Sequence, residues 1–241
     1  MNNLKSKLSK KYIVPISECD HNGKLSFMGM FNVFMDLATE HAAELKVSNK
    51  DLDNAFWVAA KTRVRFTNRP AMMEEVVVAT WPQLPGNIRC NRFCTIENEQ
   101  GILAEGKTEW TIIDCDTMRP LKTKNIYPEG LVHLEDEVLP EPFVRFSTDF
   151  SEAQVIKKHT VLSTDIDISK HMNNVAYIRA LMSAFSCLEL DAMNISEIEI
   201  AYRLQCFEGE VLSICKRACE DGTDIGFLKE DGSVAAVLRM K

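Results

Sequence analysis

The chain has 241 residues, of which 46% are hydrophobic and 26% charged, and its formal net charge is −7. This composition is typical of a globular protein and argues against disorder, fibrous structure and general nucleic-acid binding. No apolar run approaches the roughly 20 residues of a membrane helix, and the basic segment 1–12 has no apolar core behind it that would make a secretory signal. We therefore expect a cytoplasmic protein without membrane or nucleic-acid partners.

The first half of the chain predicts one long helix flanked by strands. A strand is predicted over 12–17, followed by a polar, turn-prone segment at 18–24. Side chains then recur at spacings of three and four, as in an amphipathic helix. The positions with this spacing are Phe27, Met30, Phe31, Phe34, Ala38, His41 and Leu45. Further strands are predicted over 57–66, 75–81, 87–98 and 102–114, with turns at 84–87 and 98–101.

Prolines interrupt the middle of the chain. They are Pro120, Pro128, Pro140 and Pro142, and an acidic run at 135–137 lies between them. Proline fixes φ and removes a hydrogen-bond donor from a strand, so this span predicts a linker rather than sheet. We expect an N-terminal domain at 1–118, a linker at 119–150 and a C-terminal domain at 151–241, each domain long enough to fold.

The C-terminal domain repeats the order of the first. A strand is predicted over 155–162 and a polar segment over 163–171. The helical spacing returns at Val175, Ile178, Leu181, Met182, Phe185 and Leu188. Strands follow over 195–205, 211–218, 224–229 and 233–239, with hairpin turns at 221–223 and 230–232.

Both halves therefore predict a strand, a long helix and an antiparallel meander. The connections between strands are too short for parallel crossovers, and a sheet curled around the helix explains the wide apolar face of that helix. The predicted fold class is α+β, with tandem hot-dog domains, each an antiparallel sheet wrapped around one long helix.

Groups capable of chemistry are concentrated just before the second helix. Asp167 and His171 lie four residues apart, with Ser169 between them. A helix N-terminus disfavours a positive imidazole, so we expect a neutral His171 that can act as a general base. Asp167 could then polarise a water, orient His171 or attack a carbonyl carbon, while backbone N–H groups of the first turn hold an oxyanion. The alternative is that Ser169, Asp167 or a neighbour only caps the helix, since Asp and Asn before a helix are most often caps and turn residues.

The run DIDISKHMNNVAYI, residues 165–178, resembles the signature of acyl-[acyl carrier protein] thioesterases. In that family, Asp-x-Asn-x-His is followed by an apolar residue and Asn-Asn-x-x-Tyr. Three other segments are similar to the family: Thr-Trp-Pro at 80–82, Trp-x-x-x-Asp-x-x-Thr-x-Arg-Pro at 110–120, and Asp-His-Asn-Gly at 20–23. The resemblance runs from about Tyr12 to the C-terminus.

This resemblance implies hydrolysis of fatty acyl-[acyl carrier protein] to free fatty acid and carrier thiol, without metal or cofactor. It implies catalytic roles for Asp167 and His171 and places Asn173 and Asn174 near the substrate. Two further members of the catalytic set depart from the family. They are Ser169, where the family usually has Asn, and Gln205, where it has a catalytic Glu on a strand. Cys206 matches a cysteine of plant members, although it is also typical of a buried strand residue.

The resemblance also implies where the substrate binds. The acyl tail lies in the first hot-dog domain, where a soft apolar set is suited to line a tunnel. This set is Met30, Phe31, Phe34 and Met35. The acyl carrier protein, which carries the chain on phosphopantetheine, is acidic, so a basic docking surface is expected. The residues predicted to form it are Lys61, Arg63, Arg65 and Arg69, and the other candidates are Arg89 and Arg92, or Lys122 and Lys124.

Two other functions stay open at this point. The first is the same hydrolysis with acyl-coenzyme A as the substrate. The second is a hot-dog protein that binds acyl thioesters without hydrolysing them, which Ser169 and Gln205 favour because the first lacks an amide and the second lacks a charge. A dehydratase-type hot-dog is disfavoured, since the His-x-x-x-x-x-x-Gly-x-Pro signature is absent. Acyl length is not predicted, and a homodimer is left open.

Overall fold

The computed structural model describes residues 4–241, which divide into two compact units. Unit 1 ends at Glu141, and unit 2 is Pro142–Lys241. The division falls inside the segment predicted as a linker, 119–150. The first part of that segment packs on unit 1, where Trp81 Nε1 donates to the Asp136 carbonyl at 2.8 Å. Its last residue, Phe150, belongs to an apolar cluster of unit 2.

Unit 1 is an antiparallel sheet that packs against one helix. Its elements are β1 Leu8–Ile13, α1 Phe27–Glu44, β2 Ala55–Phe66, β3 Glu75–Pro82, β4 Cys90–Asn98 and β5 Gly101–Asp114. The strand order is β1-β3-β4-β5-β2. The ring of Phe34 on α1 lies directly on Gly106 of β5, where a Cβ would come within 2.6 Å of it. The helix therefore approaches the sheet closely because β5 has a glycine at this point.

Unit 2 repeats this architecture with a shorter helix. Its elements are β6 Gln154–Thr160, α2 Asn174–Met182, α3 Cys187–Ala192, β7 Glu197–Tyr202, β8 Val211–Cys219, β9 Gly222–Leu228 and β10 Val234–Met240. The strand order is β7-β10-β9-β8-β6, and every pair described within the unit is antiparallel. The predicted α+β fold class with hot-dog domains is confirmed. Across residues 4–241, no helix combines the length and the apolar character needed to cross a membrane.

The prediction that the second helix continues to Leu188 is wrong. Lys157 Nζ donates to the Ser183 carbonyl at 2.6 Å and closes the end of α2. A separate helix, α3, begins after Ser186, whose side chain and that of Glu189 cap each other's backbone. Leu188 is consequently 81% exposed. Apolar spacing continued across the break, whereas the Ser186-x-x-Glu189 capping box marked the new start.

Several predicted strand bounds are also wrong, including those of the first strand and of β7. The first strand is Leu8–Ile13 rather than 12–17, because Pro15 precedes a 3₁₀ turn at Ile16–Glu18. Strand β7 ends at Tyr202 rather than at 205. The second difference moves Gln205 out of the sheet and into the loop that follows β7.

Candidate active site

Residues 166–172 form a tight loop directly before α2. Ile166 and Met172 pair across the base of the loop as an antiparallel bridge. At the tip, Lys170 N donates to the Asp167 carbonyl at 2.9 Å, and Lys170 itself adopts φ 65°. This left-handed conformation is uncommon for a lysine and reverses the chain. The loop therefore returns residue 171 to the side of residue 167.

The residue that caps α2 is Asn173, whose side chain accepts from Val175 N at 2.6 Å. The cap is thus a neighbour of Asp167 and Ser169, and neither of those two residues caps the helix. His171 stands two residues before the cap. Asn174 is the first residue of the helix, and its carbonyl accepts from the Tyr202 hydroxyl at 3.2 Å. The substrate contacts predicted for Asn173 and Asn174 stay predictions.

Asp167, Ser169 and His171 form one hydrogen-bonded chain. Ser169 N donates to Asp167 Oδ1 at 2.8 Å. The Ser169 hydroxyl contacts both Asp167 Oδ1 and His171 Nδ1, and these two atoms are 3.8 Å apart. Ser169 thus lies between the carboxylate and the imidazole and links them.

The chemistry of these three groups determines the direction of each hydrogen bond. A carboxylate oxygen only accepts, so the Ser169 hydroxyl donates to Asp167 Oδ1. The Ser169 oxygen must then accept from Nδ1–H of His171, and in the neutral ring the lone pair lies on Nε2. Neither His171 Nε2 nor Asp167 Oδ2 makes a hydrogen bond to another residue of the described chain. These are the two atoms available for a reaction.

The electrostatics of the loop favour an ionised Asp167. Burial raises the pKa of this carboxyl, but the nearby imidazole of His171 and the hydrogen bonds from Ser169 outweigh burial and hold the net pKa below its ordinary value. The side chains of Asp167 and His171 are 34% and 18% exposed, so solvent or a substrate can reach both. A carboxylate and an imidazole in this state can act as nucleophile and general base.

Asp165, the residue before this loop, holds the start of the loop in place through its hydrogen bonds. Its buried carboxylate accepts from His159 Nε2 at 2.8 Å, from Arg179 Nη2 at 2.6 Å and from Leu162 N at 3.0 Å. Its carbonyl accepts from Asn173 N at 2.8 Å, next to the helix cap. Sequence reasoning included Asp165 in the motif without a separate role. The side chains that pair with it, those of His159 and Arg179, lie 6 and 14 residues away along the chain, so no local pattern indicates them.

The segment after β7 lies beside the same loop, because Met172 N donates to the Cys206 carbonyl at 2.7 Å. Gln205 is exposed there, and its side chain forms no hydrogen bond within residues 4–241. Cys206 is fully buried, burial raises the pKa of its thiol, and the hydroxyl of Tyr177 contacts the sulfur. A buried thiol with a raised pKa is a poor nucleophile, so the structure favours the packing role of Cys206.

The predicted acyl-chain residues lie on α1 in unit 1. Met30, Phe31 and Phe34 are buried, and Met35 is half-buried. They contribute to the interior between α1 and its sheet, where Phe34 contacts Gly106. A role for these side chains as walls of an acyl tunnel stays a prediction.

The four basic residues predicted as a docking surface have partners inside unit 1. Lys61 pairs with Glu109 at 3.6 Å, Arg65 Nη1 donates to Glu141 Oε1 at 3.3 Å, and Arg69 pairs with Asp20. Arg63 is only 3% exposed and donates to the Glu141 carbonyl at 3.2 Å. The expectation of one exposed basic face is wrong for Arg63, which strand alternation placed beside Lys61 and Arg65.

Comparison with known protein families gives the decisive observation. The model of the acyl-ACP thioesterase N-terminal domain matches residues 5–129, and that of the C-terminal domain matches residues 149–235. The chain belongs to the acyl-ACP thioesterase family. The motif at 165–178, from which this family was predicted, lies within the second match.

Individual members of the family are distant in sequence and close in fold. Oleoyl-acyl carrier protein thioesterase 2 of Arabidopsis thaliana is 22% identical over an alignment of 228 residues, and the alignment covers 84% of this chain and 60% of that protein. A solved acyl-ACP thioesterase from Bacteroides thetaiotaomicron has a TM-score of 0.84 at 19% identity, covering 98% of this chain and 97% of that one. A 12:0-ACP thioesterase from Umbellularia californica has 0.82 at 17%, with the same coverage. The chain thus spans about three fifths of the length of the first curated relatives.

Proposed function

We propose that this chain hydrolyses the thioester of fatty acyl-[acyl carrier protein] to free fatty acid and carrier thiol. The observation that carries the proposal is the Asp167–Ser169–His171 chain, held on an accessible loop in a member of this family. It leaves Asp167 Oδ2 and His171 Nε2 unengaged by the described residues. A carboxylate and a neutral imidazole are the groups that thioester hydrolysis requires.

Two routes use these atoms. In the first, His171 Nε2 takes a proton from water, the water oxygen bonds to the thioester carbon, and the C–S bond breaks as the leaving sulfur takes the proton. In the second, Asp167 Oδ2 bonds to the carbon and the C–S bond breaks, and water then hydrolyses the mixed anhydride with His171 as base. Single-turnover hydrolysis in ¹⁸O-water distinguishes the routes, since only the second can leave label in Asp167.

The oxyanion formed on either route needs a hydrogen-bond donor. The first N–H groups of a helix have no partner within the helix. In α2, Asn173 caps the N–H of Val175, whereas that of Asn174 has no acceptor among residues 4–241. We assign Asn174 N–H to the oxyanion, at the position where the helix dipole favours negative charge.

The proposal is tested by comparing equivalent aspartates of the two units. With a fatty acyl-[acyl carrier protein] as substrate, Asp167→Ala is expected to lower kcat by about 10²- to 10⁴-fold. Asp20→Ala, in the corresponding loop of unit 1, is the matched control and should retain activity. A background-corrected rate that is equal in wild type and Asp167→Ala would reject hydrolysis and favour the acyl-thioester-binding alternative that Gln205 suggests.

The carrier protein is the partner that this proposal implies. The exposed basic residues with no acidic partner in the described chain include Lys170 and Arg203. Lys170 lies at the tip of the loop at 166–172, and Arg203 lies in the segment after β7, beside that loop. They are better placed than Arg63 to meet an acidic carrier. We expect kcat/KM to be higher on the carrier protein than on coenzyme A with the same acyl group, and equal values would favour the acyl-coenzyme A alternative. A cytoplasmic location stays a prediction.

A further inference from the structure

A buried positive charge lies between α1 and the sheet of unit 1. Arg92 on β4 is 5% exposed, and His41 on α1 is fully buried. Arg92 Nη1 donates to His41 Nδ1 at 3.0 Å and to Thr80 Oγ1 at 3.4 Å. The hydroxyl of Tyr127 also contacts the guanidinium. All three partners are neutral, and among residues 4–241 no aspartate or glutamate forms an ion pair with Arg92. A buried guanidinium without an anion beside it carries a desolvation cost that neutral acceptors offset only in part.

His41 does not neutralise the charge of Arg92, because its imidazole is uncharged. Its two hydrogen-bond partners determine which ring nitrogen carries the proton. A guanidinium only donates, so Nδ1 of His41 carries a lone pair. The carbonyl of Lys5 only accepts and lies 2.9 Å from Nε2, so Nε2 carries the proton. Burial lowers the pKa of His41, and the charge of Arg92 lowers it further. The pair is therefore a neutral imidazole beside a guanidinium.

Further polar groups lie on the same face of the sheet, and one of them, the indole N–H of Trp110, lacks an acceptor among the described residues. Thr108 faces Arg92 directly across the β4–β5 pair, and its hydroxyl lies 3.3 Å from that of Thr62. Two positions along β5 and on the same face, the buried indole N–H of Trp110 has no hydrogen-bond partner in the described chain. Buried donors are nearly always satisfied in folded proteins. We call Arg92, Thr62, Thr108 and Trp110 the donor cluster.

The donor cluster adjoins the apolar residues of α1. Phe34 and His41 lie two turns apart on one helix face, which is about 10 Å along the axis. Cys94 connects the two ends, since its sulfur lies 3.3 Å from Thr80 Oγ1 and 4.0 Å from the Phe34 carbonyl. An aliphatic chain that packs along Met30, Phe31 and Phe34 would therefore end at these donors.

We propose that the donor cluster binds the carboxylate of an aliphatic acid. A carboxylate supplies the negative charge that Arg92 lacks, and its two oxygens accept from the guanidinium and from the hydroxyl or indole groups. The inference goes beyond thioester hydrolysis, because it concerns equilibrium binding within unit 1. If the chain is a thioesterase, the carboxylate is either that of the released fatty acid or a second one at the far end of the acyl chain.

Isothermal titration of the full chain with decanoate and with neutral decanol tests the proposal. Decanoate is expected to bind more tightly than decanol. Arg92→Met removes the charge and keeps a long side chain, and should weaken decanoate by about 10- to 100-fold while leaving decanol unchanged. Thr108→Val should weaken decanoate less, and it keeps the test valid if Arg92→Met does not fold. Equal affinities for the two probes, or unchanged decanoate binding in both variants, would overturn the proposal.

Asp167→Asn, measured in parallel, separates this site from the loop before α2. Decanoate binding should be unchanged in this variant, and a loss there without a loss in Arg92→Met would move the carboxylate to that loop and reject the inference. Because the titrations measure binding and not hydrolysis, their failure would leave the proposed hydrolysis untouched. Competitive inhibition by decanoate indicates the released product as ligand, whereas a higher kcat/KM for a carboxyl-terminated acyl chain indicates the far-end carboxylate.

Discussion

The loop before α1 and the loop before α2 share one backbone. Each follows a 3₁₀ turn and closes with an antiparallel bridge, Cys19–Leu25 in unit 1 and Ile166–Met172 in unit 2. In each, an aspartate accepts from the N–H two residues later, at 2.9 Å for Asp20 and 2.8 Å for Asp167. The helix caps also correspond, since Ser26 and Asn173 occupy the same position.

The two loops differ in what neutralises the aspartate. Arg69 pairs with Asp20, donates to the Leu25 carbonyl at 3.1 Å and stacks on the Phe27 ring. Burial raises the pKa of Asp20, but the hydrogen bonds and the charge of Arg69 outweigh burial and lower it. In unit 2, the partners of Asp167 are a hydroxyl and an imidazole, which can move protons. The same turn therefore makes a structural ion pair in one unit and a candidate active site in the other.

Exchanging the residues that differ between the loops tests this comparison most severely. His171→Lys places the unit 1 residue, Lys24, in the unit 2 loop, where an ammonium would pair with Asp167 and leave no base. We expect kcat on the acyl carrier substrate to fall by about 10²- to 10⁴-fold, with a melting temperature close to that of wild type. The reciprocal Lys24→His should change kcat little, since Arg69 still holds Asp20. Retention of more than about a tenth of the activity in His171→Lys would contradict a base role.

Asp165 and Glu18 offer a comparison of stability, since each is the last residue of its 3₁₀ turn. Asp165→Asn removes the charge that His159 and Arg179 require, and should lower the free energy of unfolding by about 3 kcal/mol. Glu18→Gln should cost about 1 kcal/mol or less, because Glu18 is half-buried and its carboxylate accepts from Asn32 alone among residues 4–241. Urea unfolding at neutral pH measures both.

The pH dependence of the free energy of unfolding tests whether the effect of Asp165→Asn comes from the lost charge. Burial raises the pKa of Asp165, but its hydrogen bonds outweigh burial and the net pKa is lowered. Such a group stabilises the fold above its unfolded pKa, near 4, and the contribution is lost as the pH falls through the folded pKa. The difference between wild type and Asp165→Asn should therefore shrink as the pH falls below about 4. A difference independent of pH would mean that packing, not charge, is lost.

Substitutions of Ser169, the hydroxyl partner of Asp167 in unit 2, have the smallest effect on kcat that we expect from the comparison of the two loops. Ser169→Ala removes the hydroxyl between Asp167 and His171 but keeps the backbone donor, so kcat should fall by about tenfold. Ser169→Asn restores a polar link of the type usual in the family and should recover most of this loss. A kcat for the asparagine variant at or below that of the alanine variant would show that the hydroxyl does not act as a link.

The sequence predicted most accurately what local patterns determine. The spacing that begins at Phe27 describes α1, and Glu75 begins both the predicted and the observed β3. Asp167, Ser169 and His171 were singled out together because one turn of five residues brings them into contact. Their roles in catalysis stay predictions until the variants are measured.

Features that depend on distant partners could not be predicted in this way. Arg63 lies between Lys61 and Arg65 on a strand, as a solvent-facing residue would, yet it is buried and donates to the carbonyl of Glu141, far along the chain. Arg92 is likewise buried against His41, which lies on α1. The pairing of Arg69 with Asp20 was not predicted either, since no local pattern connects two residues that lie 49 positions apart. Charge alone does not indicate which face of a strand is covered.

The left-handed backbone conformation of Lys170, at the tip of the loop at 166–172, has a consequence for association kinetics. Gly23 makes the same turn in unit 1 with φ 66°, whereas Lys170 adopts it at a cost of about 1 kcal/mol. The side chain keeps a positive charge at the tip, adjacent in sequence to His171, where glycine would leave none. Association with a negatively charged carrier should therefore slow as ionic strength rises, because added salt screens an exposed charge of this kind.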